Sequence, residues 1–272
     1  MLYDIKTRIP IWTIYMKTIL ASLLLAASSL LTVQSATAGS IADNYIGAGG
    51  NGADVIGASV YDIAGATITR IGSVLTITIA TNFAGHAGID SNITPGGIGY
   101  GDLFLSQVWN PAGTAASKYA TDNAANGTKW SYGFALDNNY SNTGGTFKLM
   151  QLNGTTNASN IINSEKVISC TNCDYREGQA TVVNEQSSTV KNTGLLGSWT
   201  VTADKSIQFT INVASSDLLN FSSFAMHWGE TCQNDVIEGV VRMVPIPGTL
   251  PLLGLGLVAM AGIARRKKAM QA

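Results

Sequence analysis

The sequence predicts an all-β protein: an antiparallel β-sandwich of jelly-roll type with about ten strands, framed by an apolar helix at each end of the chain. Three observations predict it. Apolar and polar residues alternate in short runs through the middle of the chain, as half-buried strands require. Gly, Asn, Ser and Thr separate those runs at turn spacing. Helical periodicity is scarce, with residues 216–224, after the cap-like Ser215-Ser216, the one short candidate.

Along the chain, Ala66-Thr67-Ile68-Thr69-Arg70-Ile71 and Val74-Leu75-Thr76-Ile77-Thr78-Ile79 make a hairpin through Gly72-Ser73, a pair suited to a type II′ turn. Leu75, Ile77 and Ile79 share one face, and Thr76 and Thr78 the other. Trp130, Tyr132, Phe134 and Leu136 also share a face at period two. Residues 138–145 and 153–163, rich in Asn and Gly, read as surface loops. Trp199 and Val201, the turn Ala203-Asp204-Lys205, then Ile207, Phe209, Ile211 and Val213 form a second hairpin, and residues 235–243 a last strand. The one internal echo is Gly52-Ala53-Asp54-Val55-Ile56-Gly57 against Asn234-Asp235-Val236-Ile237-Glu238-Gly239, which pairing of the first and last strands would explain.

Of 272 residues 46% are hydrophobic and only 12% charged, with a net charge of −1, against about 25% charged in ordinary soluble domains. Seven of the 16 basic residues and one of the 17 acidic ones lie in the end segments. The body between them holds nine basic against 16 acidic residues, a net charge of −7, which repels phosphate backbones and argues against nucleic acid as a partner.

From Met16, the expected true start, the chain reads Met-Lys, an uncharged apolar run over residues 19–33, and the small-residue exit Ala36-Thr37-Ala38. That is the layout of a secretory signal peptide cleaved between Ala38 and Gly39. The run is too short for the ~20 residues that span a bilayer. At the other end, 19 uncharged residues from Ile246 to Ala264 precede Arg265-Arg266-Lys267-Lys268. At ~1.5 Å per residue this helix nearly crosses a ~30 Å hydrocarbon layer. The basic tail acts as a stop-transfer cluster and stays cytoplasmic, with the body outside. The expected organisation is a leader over 1–38, an ectodomain over 39–243 and a C-terminal signal over 244–272.

Val244-Pro245-Ile246-Pro247-Gly248-Thr249-Leu250-Pro251, then the apolar run and the basic end, resemble a PEP-CTERM protein-sorting signal. In that family a Val-Pro-Glu-Pro-like motif precedes a membrane helix and a basic tail. Ile246 stands where Glu is usual, so the motif Val244, Pro245, Ile246, Pro247 resembles the Val-Pro-Leu/Ile-Pro variant. The resemblance implies a bacterial envelope protein recognised by an exosortase, a membrane-bound cysteine transpeptidase-like enzyme, in cells that make exopolysaccharide and biofilm. Prolines ahead of the span also forbid continuous helix and hold the junction extended, a shape that a processing enzyme can reach. Within the body, Asp54-Val55-Ile56-Gly57, Gly99-Tyr100-Gly101-Asp102-Leu103-Phe104, Trp109-Asn110-Pro111, Trp130-Ser131-Tyr132-Gly133-Phe134 and the stretch from His227 to Gly239 look like the ectodomain that often precedes this signal. That second resemblance implies no established activity.

Candidate chemistry is sparse. Cys170, Cys173 and Cys232, in a chain bound for an oxidising compartment, give one disulfide and one spare thiol. Cys232 with Cys170 or Cys173 closes the longer loop, worth about 3–4 kcal/mol in the chain-entropy model. Zinc held by Cys170, Cys173, Cys232 and His227 would rest on a single C-x-x-C, and export argues against it. Only His86 and His227 could run acid–base chemistry near neutral pH. His227 and Cys232 project to opposite faces if the segment is extended, and no G-x-S-x-G or phosphate loop occurs. Asp102, Asp137, Glu230 and Glu238 are available as glycosidase carboxylates, with no spacing that pairs them. Asp43, Asp54 and Asp62, with Asn44 and Asn51, are hard-oxygen candidates for Ca2+ outside any EF-hand pattern. Trp109 is the candidate for stacking on a sugar ring, while Trp130 and Trp199 read as core.

The first functional expectation is a non-catalytic, exported cell-surface or extracellular-matrix protein, anchored in the inner membrane facing the periplasm until an exosortase processes it, with exopolysaccharide or envelope components as partners. The second is a carbohydrate-binding β-sandwich module that uses surface aromatics, with calcium as its one candidate cofactor. A polysaccharide-acting enzyme is the third. No cofactor other than that calcium is expected.

Overall fold

The computed structural model describes residues 36–93, 95–169 and 174–245. The leader helix over 1–35, the apolar run and basic tail beyond residue 245, and Cys170 and Cys173 lie outside them. Among the described residues no helix is long and apolar enough to cross a membrane.

The strands are β1 (Ala36–Ala42), β2 (Ile63–Ile71), β3 (Val74–Thr81), β4 (Leu103–Ser106), β5 (Tyr132–Leu136) and β6 (Gly144–Leu152). They continue as β7 (Ile161–Asn163), β8 (Ala180–Val183), β9 (Val190–Thr202), β10 (Ser206–Asn212), β11 (Ser223–Gly229), β12 (Val236–Arg242) and β13 (Val244–Pro245). The protein is all-β and antiparallel. Eleven strands form one ladder in the order β12-β11-β4-β5-β6-β9-β10-β3-β2-β1-β13, and β7 pairs with β8 alone. The expected sandwich of two sheets is thus one continuous sheet that curls until its ends meet. A Cβ on Gly39 of β1 would lie 2.7 Å from Val241 Cβ of β12, and one on Gly239 2.7 Å from Ile41 Cγ2.

Both predicted hairpins are present. Ile71 pairs with Val74 across Gly72-Ser73, and Gly72 carries the positive φ of 59° that a type II′ turn puts at its first central residue. Ser206 pairs with Thr202, and Asp204 takes the left-handed conformation within the three-residue turn at φ 56°. The expected helix over 216–224 is only a 3-10 turn, Asp217–Asn220, capped by Ser216 Oγ accepting from Leu218 N. Phe224 belongs to β11 instead.

The curl encloses a core in which Phe134 and Phe147 stack at 4.3 Å and Phe209 packs against both and against Trp199. Such aromatic pairs add about 0.5–1.5 kcal/mol each beyond burial. β5 is buried on both faces. Tyr132, Phe134 and Leu136 face the main core, while Trp130 leaves that face and joins Phe104, Ala135, Met150 and Leu152 in a second cluster. The hairpin β7–β8 covers this outer cluster with Ile161, Ala180 and Val183. Gly133 permits the contact, since a Cβ there would lie 2.4 Å from Val183 Cγ2.

Residues 153–163, expected to be a surface loop, carry β7 and two buried asparagines. Asn157 accepts from Trp130 N and donates to the carbonyls of Ala124 and Thr128. The Asn that suggested solvent therefore satisfies buried backbone beneath the β7–β8 lid.

Candidate functional site

Chain-distant carboxylates gather where the first strand meets the last hairpin. Asp43 follows β1, Asp54 lies in the 47–57 loop, and Asp235 ends the β11–β12 turn; their oxygens lie within 4.8 Å of one another. Ile56 N donates to Asn234 O at 2.8 Å, so the two segments of the sequence echo lie side by side. Sequence reasoning named Asp43 and Asp54 and missed Asp235, whose place in Asp235-Val236-Ile237 matches Asp54-Val55-Ile56. Asp62 stays out of the cluster, and Asn44 and Asn51 are exposed.

Asp235 is wholly buried and accepts from Ile63 N and Val236 N, both at 2.7 Å. Glu230, also wholly buried, accepts from Asp235 N at 3.3 Å. Burial, and then the neighbouring charges of Asp235, Asp54 and Asp62, push Asp43 up to about 8. Burial pushes Asp235 up to about 7 against its two N–H donors, and raises Glu230 well above the usual carboxylate range. Arg176 is the buried cation here. Its Nε donates to Gln233 O, and its Nη2 to Ala53 O and Asp54 O. A Cβ on Gly50 would fall 2.0 Å from Arg176 Nη1, so the loop closes over the guanidinium only with glycine there. All the oxygens of this cluster are hard donors, suited to a hard cation.

A second buried network sits under the β7–β8 lid. His227 places Nδ1 2.8 Å from Glu238 Oε2 and Nε2 2.8 Å from Ala180 O. Each ring nitrogen is thus engaged by an oxygen, one of a carboxylate and one of a backbone carbonyl. Glu238 Oε1 accepts from Trp109 Nε1 at 2.8 Å and from Thr128 Oγ1 at 3.3 Å. Beside it Tyr45 donates to Asp122, which burial and then the charge of Glu238 push up to about 6.

These positions revise several expectations. Trp109 is half-buried, its ring in a T-shaped contact with Tyr119 at 5.0 Å and its indole N–H committed to Glu238. Cys232 is a free, buried thiol, not half of a disulfide; burial, then Glu230, push it well up. It packs in the main core, whereas His227 packs on Phe104 and Trp130 of the outer cluster, so the two share no site. The four glycosidase candidates are dispersed. Asp102 is buried and accepts from Leu136 N and Val183 N, and exposed Asp137 accepts from Thr146 N and Oγ1. Glu230 faces Asp235, and Glu238 faces His227. An open groove of about 500 Å³ on the β5–β6 side is lined by residues that include Val108, Lys129, Tyr132, Gln151, Asn153 and Asp217, and by none of the candidates above. Gly39, expected as the first residue after cleavage, lies mid-strand, with Ala36, Thr37 and Ala38 paired to Ile71, Arg70 and Thr69.

No family model, curated protein or solved structure matches this chain.

Raised carboxylates set the pH response of the metal-free protein. Asp43, Asp102, Asp122 and Asp235 are all raised in the folded state. The folded state then binds more protons than the unfolded chain between pH ~4 and ~8, so this stability is full at low pH and is lost as pH rises through 6 to 8. The Tm of chelator-treated protein is expected to be lower at pH 8.5 than at pH 5.5. An equal or higher Tm at pH 8.5 would contradict the shifts.

Proposed function

We propose that this chain is an exported, non-catalytic surface or matrix protein, held at the inner membrane by a C-terminal helix until an exosortase processes it. The observation that carries the reading is where the folded body stops. Its compact unit runs from Ala36 to Ile246, between the leader and the uncharged C-terminal run. In this reading residues 19–33 form the signal helix, residues 250–264 retain the precursor, and Arg265 to Lys268 set its orientation.

Strand β13 adds a reason for the order of processing. Val244 and Pro245 pair with Ala38 and Thr37, the last residues of the leader. Cleavage after Ala38 removes both partners. It leaves Val244-Pro245-Ile246-Pro247 as an unpaired extended segment that an exosortase can grip. The body then passes to the envelope or to exopolysaccharide. The non-catalytic character is supported by the engaged nitrogens of His227 and the buried thiol of Cys232.

Membrane fractions from cells with and without the exosortase test this. The basic tail, detected by an antibody to Arg265–Lys268, is expected to persist in membranes only where the enzyme is absent. Equal persistence in both strains would contradict the proposal.

A further inference from the structure

We propose that Asp43, Asp54 and Asp235 form a calcium site that fastens the start of the body to its last hairpin. Their oxygens lie within 4.8 Å of one another, and they come from three segments that backbone hydrogen bonds alone join loosely, Ile56 N to Asn234 O being the one between the 54–57 loop and the turn. Two further side chains point to a ligand. The wholly buried Glu230 sets Oε2 3.3 Å from the Asp235 amide and leaves Oε1 without a hydrogen-bond partner. Asn234, next to Asp235 and 4% exposed, leaves Oδ1 unpartnered as well. Asp43 Oδ1 and Asp54 Oδ1 are buried without a partner too. Buried oxygens lacking donors are costly, and a cation is the partner that serves several at once.

Arg176 does not fill that role. Its hydrogen bonds all go to backbone carbonyls, those of Gln233, Ala53 and Asp54, and its Nη1 is itself buried without a partner, bonded to none of the orphaned oxygens. It ties the two loops together and leaves the carboxylates facing one another.

The donor set is all oxygen, with no His or Cys, which selects a hard cation over zinc. Donors on irregular loops from three parts of the chain suit Ca2+, which accepts about six to eight oxygens in flexible geometry, better than Mg2+, which demands a near-ideal octahedron. The inference goes beyond the sorting proposal and stands without it.

The test uses the full chain, purified in detergent and stripped with EGTA. Calcium at about 100 times its Kd is expected to raise the Tm by about 5–10 °C, with magnesium at the same concentration giving less. Equilibrium dialysis with radioactive calcium is expected to retain the ion on the parent chain. Asp43→Asn and Asp54→Asn keep the side-chain shape and remove repulsion. They are expected to raise the Tm of the stripped protein while abolishing its response to calcium, a pair of opposite signs that a purely structural role does not produce. A stripped parent chain that neither retains calcium nor shifts its Tm overturns the proposal, and so does an Asp54→Asn chain that binds calcium as tightly as the parent. Should a variant fail to fold, dialysis on the parent decides.

Discussion

Arg176→Met is expected to destabilise the body by about 3–5 kcal/mol, the cost of removing one partner from a buried charged group. The guanidinium is wholly buried and is the donor for the carbonyls of Gln233, Ala53 and Asp54. Methionine fills much of the space and supplies no donor. Three backbone acceptors then lose their partners, and Asp54, Glu230 and Asp235 lose the positive neighbour that offsets their burial. For a body of this length the change corresponds to a fall of about 6–20 °C in Tm. Arg176→Lys is expected to recover only part of it, because an ammonium cannot reach both loops with the planar fork. Urea denaturation followed by tryptophan fluorescence measures both variants. An Arg176→Met chain with the parent's midpoint would show that the loops are held without the guanidinium.

Glu238→Leu is the second large effect, again about 3–5 kcal/mol. Removal of the carboxylate takes the acceptor from His227 Nδ1, Trp109 Nε1 and Thr128 Oγ1 together. His227 and Thr128 are buried, so water cannot replace the acceptor they lose, and Trp109 is half-buried beside them. Glu238→Gln keeps one acceptor oxygen and is expected to cost about 1–3 kcal/mol. Hydrogen exchange at the β7–β8 amides locates the damage, since His227 Nε2 also holds Ala180 O of β8. Unchanged protection in Glu238→Leu would contradict the role given to this pair.

Local structure was legible in the sequence where one segment decides it. The Gly72-Ser73 and Ala203-Asp204-Lys205 turns join strands whose alternation fixes their inward face, and both hairpins are present. Pairing between distant segments was not legible. Whether β4 joins β11, or β6 joins β9, depends on neighbours 38 or more residues away, and those pairings turn an expected pair of sheets into one curled ladder. Trp130 misled for a related reason. Alternation places it with Tyr132, yet β5 has a buried face on each side once β7–β8 is laid over it, so period two no longer separates core from solvent. The short helix failed because Leu218 and Phe221, three residues apart, are equally well served by a single 3-10 turn.

The acidic cluster was half legible. Asp43 and Asp54 stand in a polar, Gly-rich stretch, whereas Asp235 lies between Asn234 and the apolar start of β12 and reads as strand. The echo of Asp54-Val55-Ile56 in Asp235-Val236-Ile237 was the one signal that could have joined them. Trp109 is half-buried where flanking Asn110-Pro111 suggested full exposure, because its indole N–H answers a carboxylate on β12.

The most direct test of the sorting account is the intact mass of the protein isolated from its own cells, with and without the exosortase. The account predicts a species that begins at Gly39 and ends near Pro247 when the enzyme is present, and one that begins at Gly39 and keeps Arg265 to Lys268 when it is absent. A chain that starts at Ala36 would keep β1 whole and β13 paired, and would contradict cleavage after Ala38. A chain that keeps the basic tail in both strains would contradict the account as a whole.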